Sequence, residues 1–131
     1  MTKEIKQKYD LGDIVFVNEY SYEDGKEGSN HLFVVIADDD RVVPLEYFGL
    51  IVSSQINKSK TNSKHKYNEP LSKTKENGLN YESIVKCDQL YNLPKENVMF
   101  KIGHVDVDDF MRFINAYDKY LDEIDEELEV A

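Results

Sequence analysis

The sequence predicts a small, mostly β fold of the α+β class, in which a barrel is followed by one C-terminal helix. Between residues 11 and 104, short runs rich in Val, Ile and Phe are separated by polar turns, and this pattern is typical of strands. After residue 105 the apolar residues recur at helical spacing instead. A chain of 131 residues has the length of one ordinary domain, so we expect a single domain over 1–131.

The most continuous apolar run is HLFVVI at 31–36. It is too apolar to have one face in water, so we expect a buried central strand. A polar loop, expected over 19–30, leads into it and places His31 at the rim of the barrel. Loops held by a rigid scaffold often carry functional side chains, which makes this rim the first place to look for a site.

Further strands are expected on both sides of this run. They are bounded by Gly, Pro, Asn and Ser, and they cover Asp13–Val17, Phe48–Ser53, Glu82–Leu90 and Val98–His104. Val42–Pro44 is expected to be an edge piece, because Pro cannot donate to a central ladder. Residues 67–81 should form a long connection, and Asn92–Pro94 should end the strand before it.

The terminal helix has a clear predicted start. Asp106 is the expected N-cap, and Val105 before it can pack on Phe110 as a hydrophobic staple. Apolar residues then form one continuous helical stripe at Phe110, Ile114, Tyr117, Leu121, Ile124 and Leu128. The stripe indicates that the helix packs on the barrel or pairs with a second copy of itself.

The net charge of −10 is unevenly distributed. Residues 58–75 carry six basic side chains and one acidic side chain, whereas 76–131 carry five basic and fourteen acidic ones. The basic stretch is either a solvated loop or a strip that follows RNA phosphates. The acidic helical end, about 122–131, is either a solvated terminus or a segment that competes with RNA for that strip.

Several classes of protein are disfavoured by the composition. The charged N-terminal segment and the lack of a long apolar run predict a soluble, cytoplasmic protein without a membrane partner. The single cysteine, Cys87, cannot form an internal disulfide and is expected to be a buried small side chain. One Cys and three separated His give no zinc spacing, so we expect no metal and no cofactor.

Five segments together resemble the MazF/PemK/Kid toxins. Similarity to the characteristic segments of that family is found at Gly12–Val17, Gly28–Asp39, Ile51–Ile56, Glu82–Leu90 and Lys101–Val105. Each segment alone is weakly specific, but their order and spacing are fairly specific. The resemblance implies a small SH3-like barrel of the CcdB/PemK type with a C-terminal helix.

The resemblance also implies an activity, the metal-independent cleavage of single-stranded RNA. In this reaction the 2′-hydroxyl attacks the adjacent phosphate, leaving a 2′,3′-cyclic phosphate and a free 5′-hydroxyl. Family members use an Arg and a Ser/Thr for much of the catalysis; Ser53 matches the hydroxyl position, and His31 stands at the Arg position. The expected RNA-binding residues are Glu27, Gln55, Lys58, Lys60, Lys64, His65, Lys66 and Gln89.

The replacement of Arg by His leaves two interpretations of His31 open. Arg is always cationic, whereas His with an ordinary pKa of about 6.5 is mostly neutral at pH 7. In one interpretation His31 is the acid or base of a rebuilt site, with Lys58 or Lys60 supplying positive charge. In the other, the protein has weakened catalysis and binds RNA or an antitoxin-like partner without cleaving.

The resemblance further implies the partners. The protein is expected to be the toxin component of a type II toxin–antitoxin system, to bind a cognate antitoxin protein, and to form a homodimer. Inhibition of a protein target, as by the related CcdB, is a third possibility that no residue of this chain specifically supports.

Overall fold

In the computed structural model the described residues are 8–22, 27–54 and 66–130, and these form six strands and one helix. The strands are β1 (Asp13–Tyr22), β2 (Glu27–Asp38), β3 (Glu46–Ser54), β4 (Asn68–Leu71), β5 (Ser83–Pro94) and β6 (Val98–His104). The helix, α1, covers Val107–Val130, and a short 3₁₀ turn at Lys95–Asn97 joins β5 to β6.

The strands form one antiparallel sheet in the order β4-β5-β3-β2-β1-β6. An additional pairing joins β1 to β5, where Ser21 lies opposite Asn92 and Tyr22 opposite Tyr91. This pairing closes β1, β2, β3 and β5 into a ring, so most of the sheet has no free edge. The predicted mostly β fold with a C-terminal helix is therefore confirmed.

The sheet is buried on both faces, and each face carries its own core cluster. Strand residues of odd and even position alternate between the faces, so Phe33 and Val35 belong to one cluster while Val34 and Ile36 belong to the other. The helix face also includes Phe113 of α1, which is fully buried. The opposite face, where β1 and β5 meet, is packed around Phe33 and Tyr47. Burial on both sides explains why 31–36 reads as a continuous apolar run.

Helix α1 begins as predicted. The backbone N–H of Asp109 donates to Oδ1 of Asp106 at 2.8 Å, which satisfies one of the free amides at the helix start. Val105 and Phe110 both pack in the helix-face cluster. Arg112 then ties α1 to β4, since it donates to Oε1 of Glu69 and to the carbonyl oxygen of Pro70, both at 2.8 Å.

Four predicted element limits were wrong. Strands β1 and β2 continue into the expected loop 19–30, where Glu19 pairs with Ser29 and Ser21 pairs with Glu27. This pairing joins backbone groups and does not require apolar side chains. The expected connection 67–81 contains β4, which pairs with β5. Strand β5 does not break at Asn92–Pro94, because Leu93 is fully buried in a core cluster and Pro94 lies at the strand end opposite Glu46.

The fourth error concerns Val42–Pro44, which is not a strand. The Asp39 carboxylate accepts hydrogen bonds from the backbone N–H groups of Arg41 and Leu45, at 3.1 and 3.0 Å, and so holds 39–45 as a turn. Val42 is consequently 90% exposed.

Strand β5 is interrupted by a large bulge. Val85 pairs with Val52 of β3, but the next pair along the ladder is Leu90 with Leu50. Residues 86–89 of β5 therefore lie opposite the single residue Ile51. A bulge bends its strand and changes the direction of its side chains.

Two smaller findings complete the fold. Cys87 is buried, and burial raises the pKa of its thiol to about 12, so the prediction of an inert, buried cysteine is confirmed. In the described part of the chain, no helix has both the length and the apolar character needed to cross a membrane.

Candidate functional site

His31 and Ser53 lie at the same end of the sheet, on neighbouring strands. In the β2–β3 ladder Leu32 pairs with Val52, so His31 and Ser53 occupy the next position along the two strands. His31 shares a face with Phe33, and Ser53 shares that face with Ile51. The two residues that the sequence proposed as catalytic are therefore cross-strand neighbours on the face opposite the helix.

The strand before His31 contains an unusual backbone conformation. Asn30 has a φ of 59°, in the left-handed region that non-Gly residues seldom adopt and that Asn tolerates better than most. Pairing of β1 with β2 continues on both sides, through Glu19–Ser29 and Val17–His31. The local twist at Asn30 is thus accommodated within the ladder, immediately before the imidazole.

The imidazole of His31 packs among aromatic rings. Its centroid lies 6.1 Å from Phe33 and 6.5 Å from Tyr20, both at edge-to-face angles. Tyr20 and Phe33 in turn contact Tyr91, each at 5.3 Å. This group of four rings, from β1, β2 and β5, fixes the position of the imidazole at the point where the ring of strands closes.

The backbone of Leu32 orients the His31 ring. The N–H of Leu32 donates to Nδ1 at 3.0 Å, and the carbonyl oxygen of Leu32 lies 3.4 Å from the same nitrogen. Nδ1 thus accepts from the amide when it lacks a proton and can donate to the carbonyl when it carries one. In both forms Nε2 is the ring nitrogen that bonds to no described residue, so it is the nitrogen available to a ligand.

The pKa of His31 lies below its ordinary value of 6.5. Burial is the main cause because it disfavours the charged imidazolium, and the positive charge of Lys86 acts in the same direction. The hydrogen bond with the Leu32 backbone opposes both effects. His31 is therefore a neutral imidazole at pH 7, able to accept a proton.

Lys86 is a site residue that sequence analysis missed. It lies at the start of the β5 bulge, opposite Asn68 of β4. Ser53 pairs with Ile84, and Lys86 follows two residues later on the same face. Its charge acts on His31 from two strands away. A lone lysine in an apolar strand gives no periodic signal, so only the tertiary pairing reveals it.

Gln89 lies beside the aromatic group around His31. The hydroxyl group of Tyr91 donates to Oε1 of Gln89 at 2.8 Å, and Tyr91 belongs to the aromatic group around His31. The predicted RNA-binding residue Gln89 is therefore connected to the predicted catalytic residue through one tyrosine.

Lys66 lies elsewhere. Its ammonium group is 3.1 Å from Oε1 of Glu123, near the acidic end of α1, and the hydroxyl of Tyr67 donates to the same carboxylate oxygen. Tyr67 packs with the helix-face cluster and contacts Tyr120. Lys66 is thus on the helix side, and the structure does not bring it together with His31.

The remaining predicted RNA-binding residues have no described side chains. Glu27 pairs with Ser21 through its backbone at the start of β2, and its side chain lies outside the description. Gln55, Lys58, Lys60, Lys64 and His65 fall outside the described residues. Within the described ranges, no three His, Cys, Asp or Glu side chains cluster so as to hold a metal ion.

Comparisons with known proteins agree with this fold. Residues 10–121 match the family model described as PemK-like, MazF-like toxin of type II toxin–antitoxin system. The structure is similar to that of the Mycobacterium tuberculosis toxin MazF-mt6, with a TM-score of 0.56 and 15% sequence identity over 84% of this chain and 96% of that chain. No curated protein sequence matches the chain.

The family match covers the ring of strands, the end of the sheet that holds His31 and Ser53, and most of the terminal helix. The fold likeness covers the same architecture. The chain therefore belongs to the PemK-like, MazF-like toxin family of type II toxin–antitoxin systems.

Proposed function

We propose that this protein is a toxin that acts as a metal-independent endoribonuclease on single-stranded RNA in the cytoplasm. The observation that carries the proposal is the pairing of a neutral imidazole, His31, with a hydroxyl, Ser53, on adjacent strands of one sheet face. Internal cleavage of RNA requires a proton acceptor for the 2′-hydroxyl and hydrogen-bond donors to the phosphorane. His31 provides the proton acceptor, and Ser53 provides a hydrogen-bond donor.

In the proposed reaction His31 is the neutral tautomer whose Nδ1–H donates to the Leu32 carbonyl, and the proton of the 2′-hydroxyl passes to its unprotonated Nε2. The O2′–P bond then forms, the P–O5′ bond breaks, and the departing O5′ takes a proton from water. The imidazolium that forms is stabilised by the Leu32 carbonyl, which lies 3.4 Å from Nδ1 and accepts a hydrogen bond from Nδ1–H. The products are a 2′,3′-cyclic phosphate and a free 5′-hydroxyl.

Ser53 is proposed to donate its hydroxyl proton in a hydrogen bond to a non-bridging phosphate oxygen. Ser53 is half-buried, and it is held on both sides because β3 pairs with β2 and with β5. A donor fixed in this way needs little reorganisation when charge develops on the phosphate.

The partners are proposed from the family. Members bind an antitoxin and RNA and form dimers, and we propose the same for this chain. Glu27, Gln89 and the lysines of the basic stretch are proposed to contact RNA beyond the cleaved bond. Gln89 is supported by its hydrogen bond to Tyr91, beside His31.

The test is incubation of the purified protein with unstructured RNA in EDTA, followed by analysis of the RNA ends. We expect cyclic phosphate and 5′-hydroxyl ends. His31→Ala and Ser53→Ala should each lower the rate by about 10²-fold or more. The matched controls are His104→Ala, at the end of β6, and Ser54→Ala, next to Ser53 and exposed.

Two results would contradict the nuclease proposal. If RNA stays intact with excess protein, the activity is absent, and binding of that RNA would favour the alternative of a module that captures RNA or an antitoxin without cleaving. If cleavage persists in both alanine variants, the activity belongs to other residues or to a contaminant.

A further inference from the structure

Strand β1 changes its pairing partner next to the candidate site. Its pairing with β6 ends at Val17, opposite Val98. Its pairing with β5 begins at Ser21, opposite Asn92. Because the pairing of β1 with β2 keeps one register throughout, the two strands turn together. Residues 18–20 therefore form a corner, at which the β1–β2 ribbon bends to close the ring of strands.

Asn30 stands at this corner on the β2 side. The β1–β2 register places it opposite Asn18, the first residue of the corner. Its φ of 59° lies in the left-handed region, whereas strand residues have an extended backbone with a negative φ. A residue of this kind changes the direction of the chain locally, and here the pairs on both sides keep their register. The bend of the ribbon therefore coincides with the left-handed conformation of Asn30.

The side-chain directions in β1 show that the strand has rotated at the corner. Side chains alternate between the two faces of a sheet, and Val15 and Val17 both belong to the cluster packed around Phe33. Alternation would put Tyr20 on the opposite face, yet its ring packs with the same cluster, 4.8 Å from the ring of Phe33. The corner thus directs Tyr20 to the face that carries His31.

This rotation assembles the surroundings of the imidazole. The ring centroid of Tyr20 lies 6.5 Å from that of His31 and 5.3 Å from that of Tyr91. These rings contribute to the burial of His31, which is the main cause of its lowered pKa. The side chain of Asn30 is itself exposed, so its influence on the site acts through the backbone.

We propose that Asn30 is a positioning residue of the site, whose left-handed backbone bends the β1–β2 ribbon so that the rings of Tyr20 and Tyr91 hold the His31 imidazole in place for proton transfer. The catalytic consequence rests on the proposed nuclease function, whereas the environment of the imidazole can be measured without RNA. Asn suits the role because it enters the left-handed region more readily than most residues that have a side chain. Gly enters that region freely.

Asn30→Val and Asn30→Gly test the proposal as a pair. A β-branched residue strongly disfavours the left-handed region, so Asn30→Val should release the imidazole and lower kcat by about 10²-fold, as for a displacement of about 1 Å in a reacting group. KM should change little, because Asn30 is not among the residues proposed to contact RNA. Asn30→Gly should keep kcat within about twofold of the wild-type value, because Gly retains the backbone conformation.

The second readout is the His31 ring itself, in the protein without RNA. Asn30→Val should raise the pKa of His31 toward 6.5, because the ring loses part of the burial that lowers it. NMR titration of the imidazole protons measures this change, and Asn30→Gly should keep the wild-type pKa. Asn30→Ala is a milder variant that should shift kcat and the pKa in the same directions by less, and it replaces Asn30→Val if that variant does not fold.

Asp40 provides the matched control. It also has a left-handed backbone, with a φ of 64°, and it is exposed in the turn that follows β2, beyond the end of the strand that is distant from His31. Asp40→Val therefore introduces the same conflict between side chain and backbone away from the site. It should leave both kcat and the pKa of His31 unchanged.

The outcomes separate this inference from the proposed function. An active wild type with an unchanged kcat or an unchanged His31 pKa in folded Asn30→Val would overturn the inference alone. So would an equal loss in Asn30→Gly, which would assign the effect to the Asn side chain, or an equal loss in Asp40→Val, which would indicate general strain. A wild type that does not cleave RNA, together with a raised His31 pKa in Asn30→Val but not in Asn30→Gly, would overturn the nuclease function and leave the positioning role in place. An inactive wild type with no such change in pKa would overturn both.

Discussion

At the scale of single residues, the contacts of His31 decide which proton transfer it can perform. Burial and the charge of Lys86 keep the ring neutral, and in the tautomer whose Nδ1–H donates to the Leu32 carbonyl Nε2 is unprotonated and available to a ligand. The sequence suggested an acid or a base, and the lowered pKa favours the base, because a base must be unprotonated before the reaction.

The first prediction is a pH profile. Cleavage should increase with pH through a midpoint below 6.5 and remain level to pH 8, because His31 loses its proton at a lower pH than a free histidine does. The measurement is the initial cleavage rate of a short RNA between pH 4.5 and 8. His104→Ala should give the same profile, and a rate that falls over the same range would indicate that His31 acts as an acid instead.

Sequence reasoning placed His31 at the rim of the barrel, but it could assign a catalytic role to His31 and Ser53 only through the family resemblance. Their adjacency follows from the β2–β3 register, which alternation of apolar residues does not specify. Lys86 was missed because its place at the site depends on the bulge. The placement of Lys66 depends on Glu123, a residue far away in the sequence.

At the scale of elements, predictions succeeded where burial imposes a clear period. The capped helix was predicted correctly because it has one apolar stripe and a local capping signal. The end of β5 was predicted wrongly, because Asn and Pro in the segment Asn92–Pro94 are residues typical of a turn. There the burial of Leu93 in the core outweighs the local preference.

The connection between β4 and β5 shows a constraint of another kind. It crosses β6 so closely that a Cβ on Gly103 would lie 2.4 Å from the carbonyl oxygen of Glu76, and a Cβ on Gly78 would lie 2.2 Å from that of Ile102. In addition, the N–H of His104 donates to the Glu76 carbonyl at 3.0 Å. The two glycines allow the backbones to touch.

The second prediction therefore concerns Gly103→Ala. The added methyl group would force two backbones apart, so the free energy of unfolding should fall by about 2 kcal/mol or more, measured by urea denaturation. Asn80→Ala, at an exposed position of the same connection, is the control and should change stability little. Equal stability of Gly103→Ala and the wild type would show that the connection can move away from β6.

At the scale of the whole molecule, negative charge is concentrated in α1, while the candidate site lies on the opposite face of the sheet. Lys66 and Tyr67 connect the end of the basic stretch to this acidic helix through Glu123. This contact joins the two oppositely charged segments of the sequence, and it pairs one lysine of the basic stretch with a carboxylate.

The third prediction tests this contact with Glu123→Gln. Removal of the carboxylate frees Lys66, so binding of single-stranded RNA should become tighter at low salt, by about threefold, and should depend more steeply on salt. The control is Glu126→Gln, which removes the same charge from a glutamate with no ion pair to the described residues. An equal change in both variants would mean that only the net charge matters.

The bulge of β5 has a consequence for how this protein tolerates change. Residues 86–89 are spared from the β3 ladder, whereas Val85 and Leu90 on either side are fixed in register. Lys86 pairs with Asn68 of β4 and Cys87 is fully buried, so the change that disturbs neither the flanking ladders nor the core is a substitution or insertion at Asp88–Gln89. We therefore expect Asp88–Gln89, next to the aromatic group around His31, to accept new side chains without redesign of the scaffold.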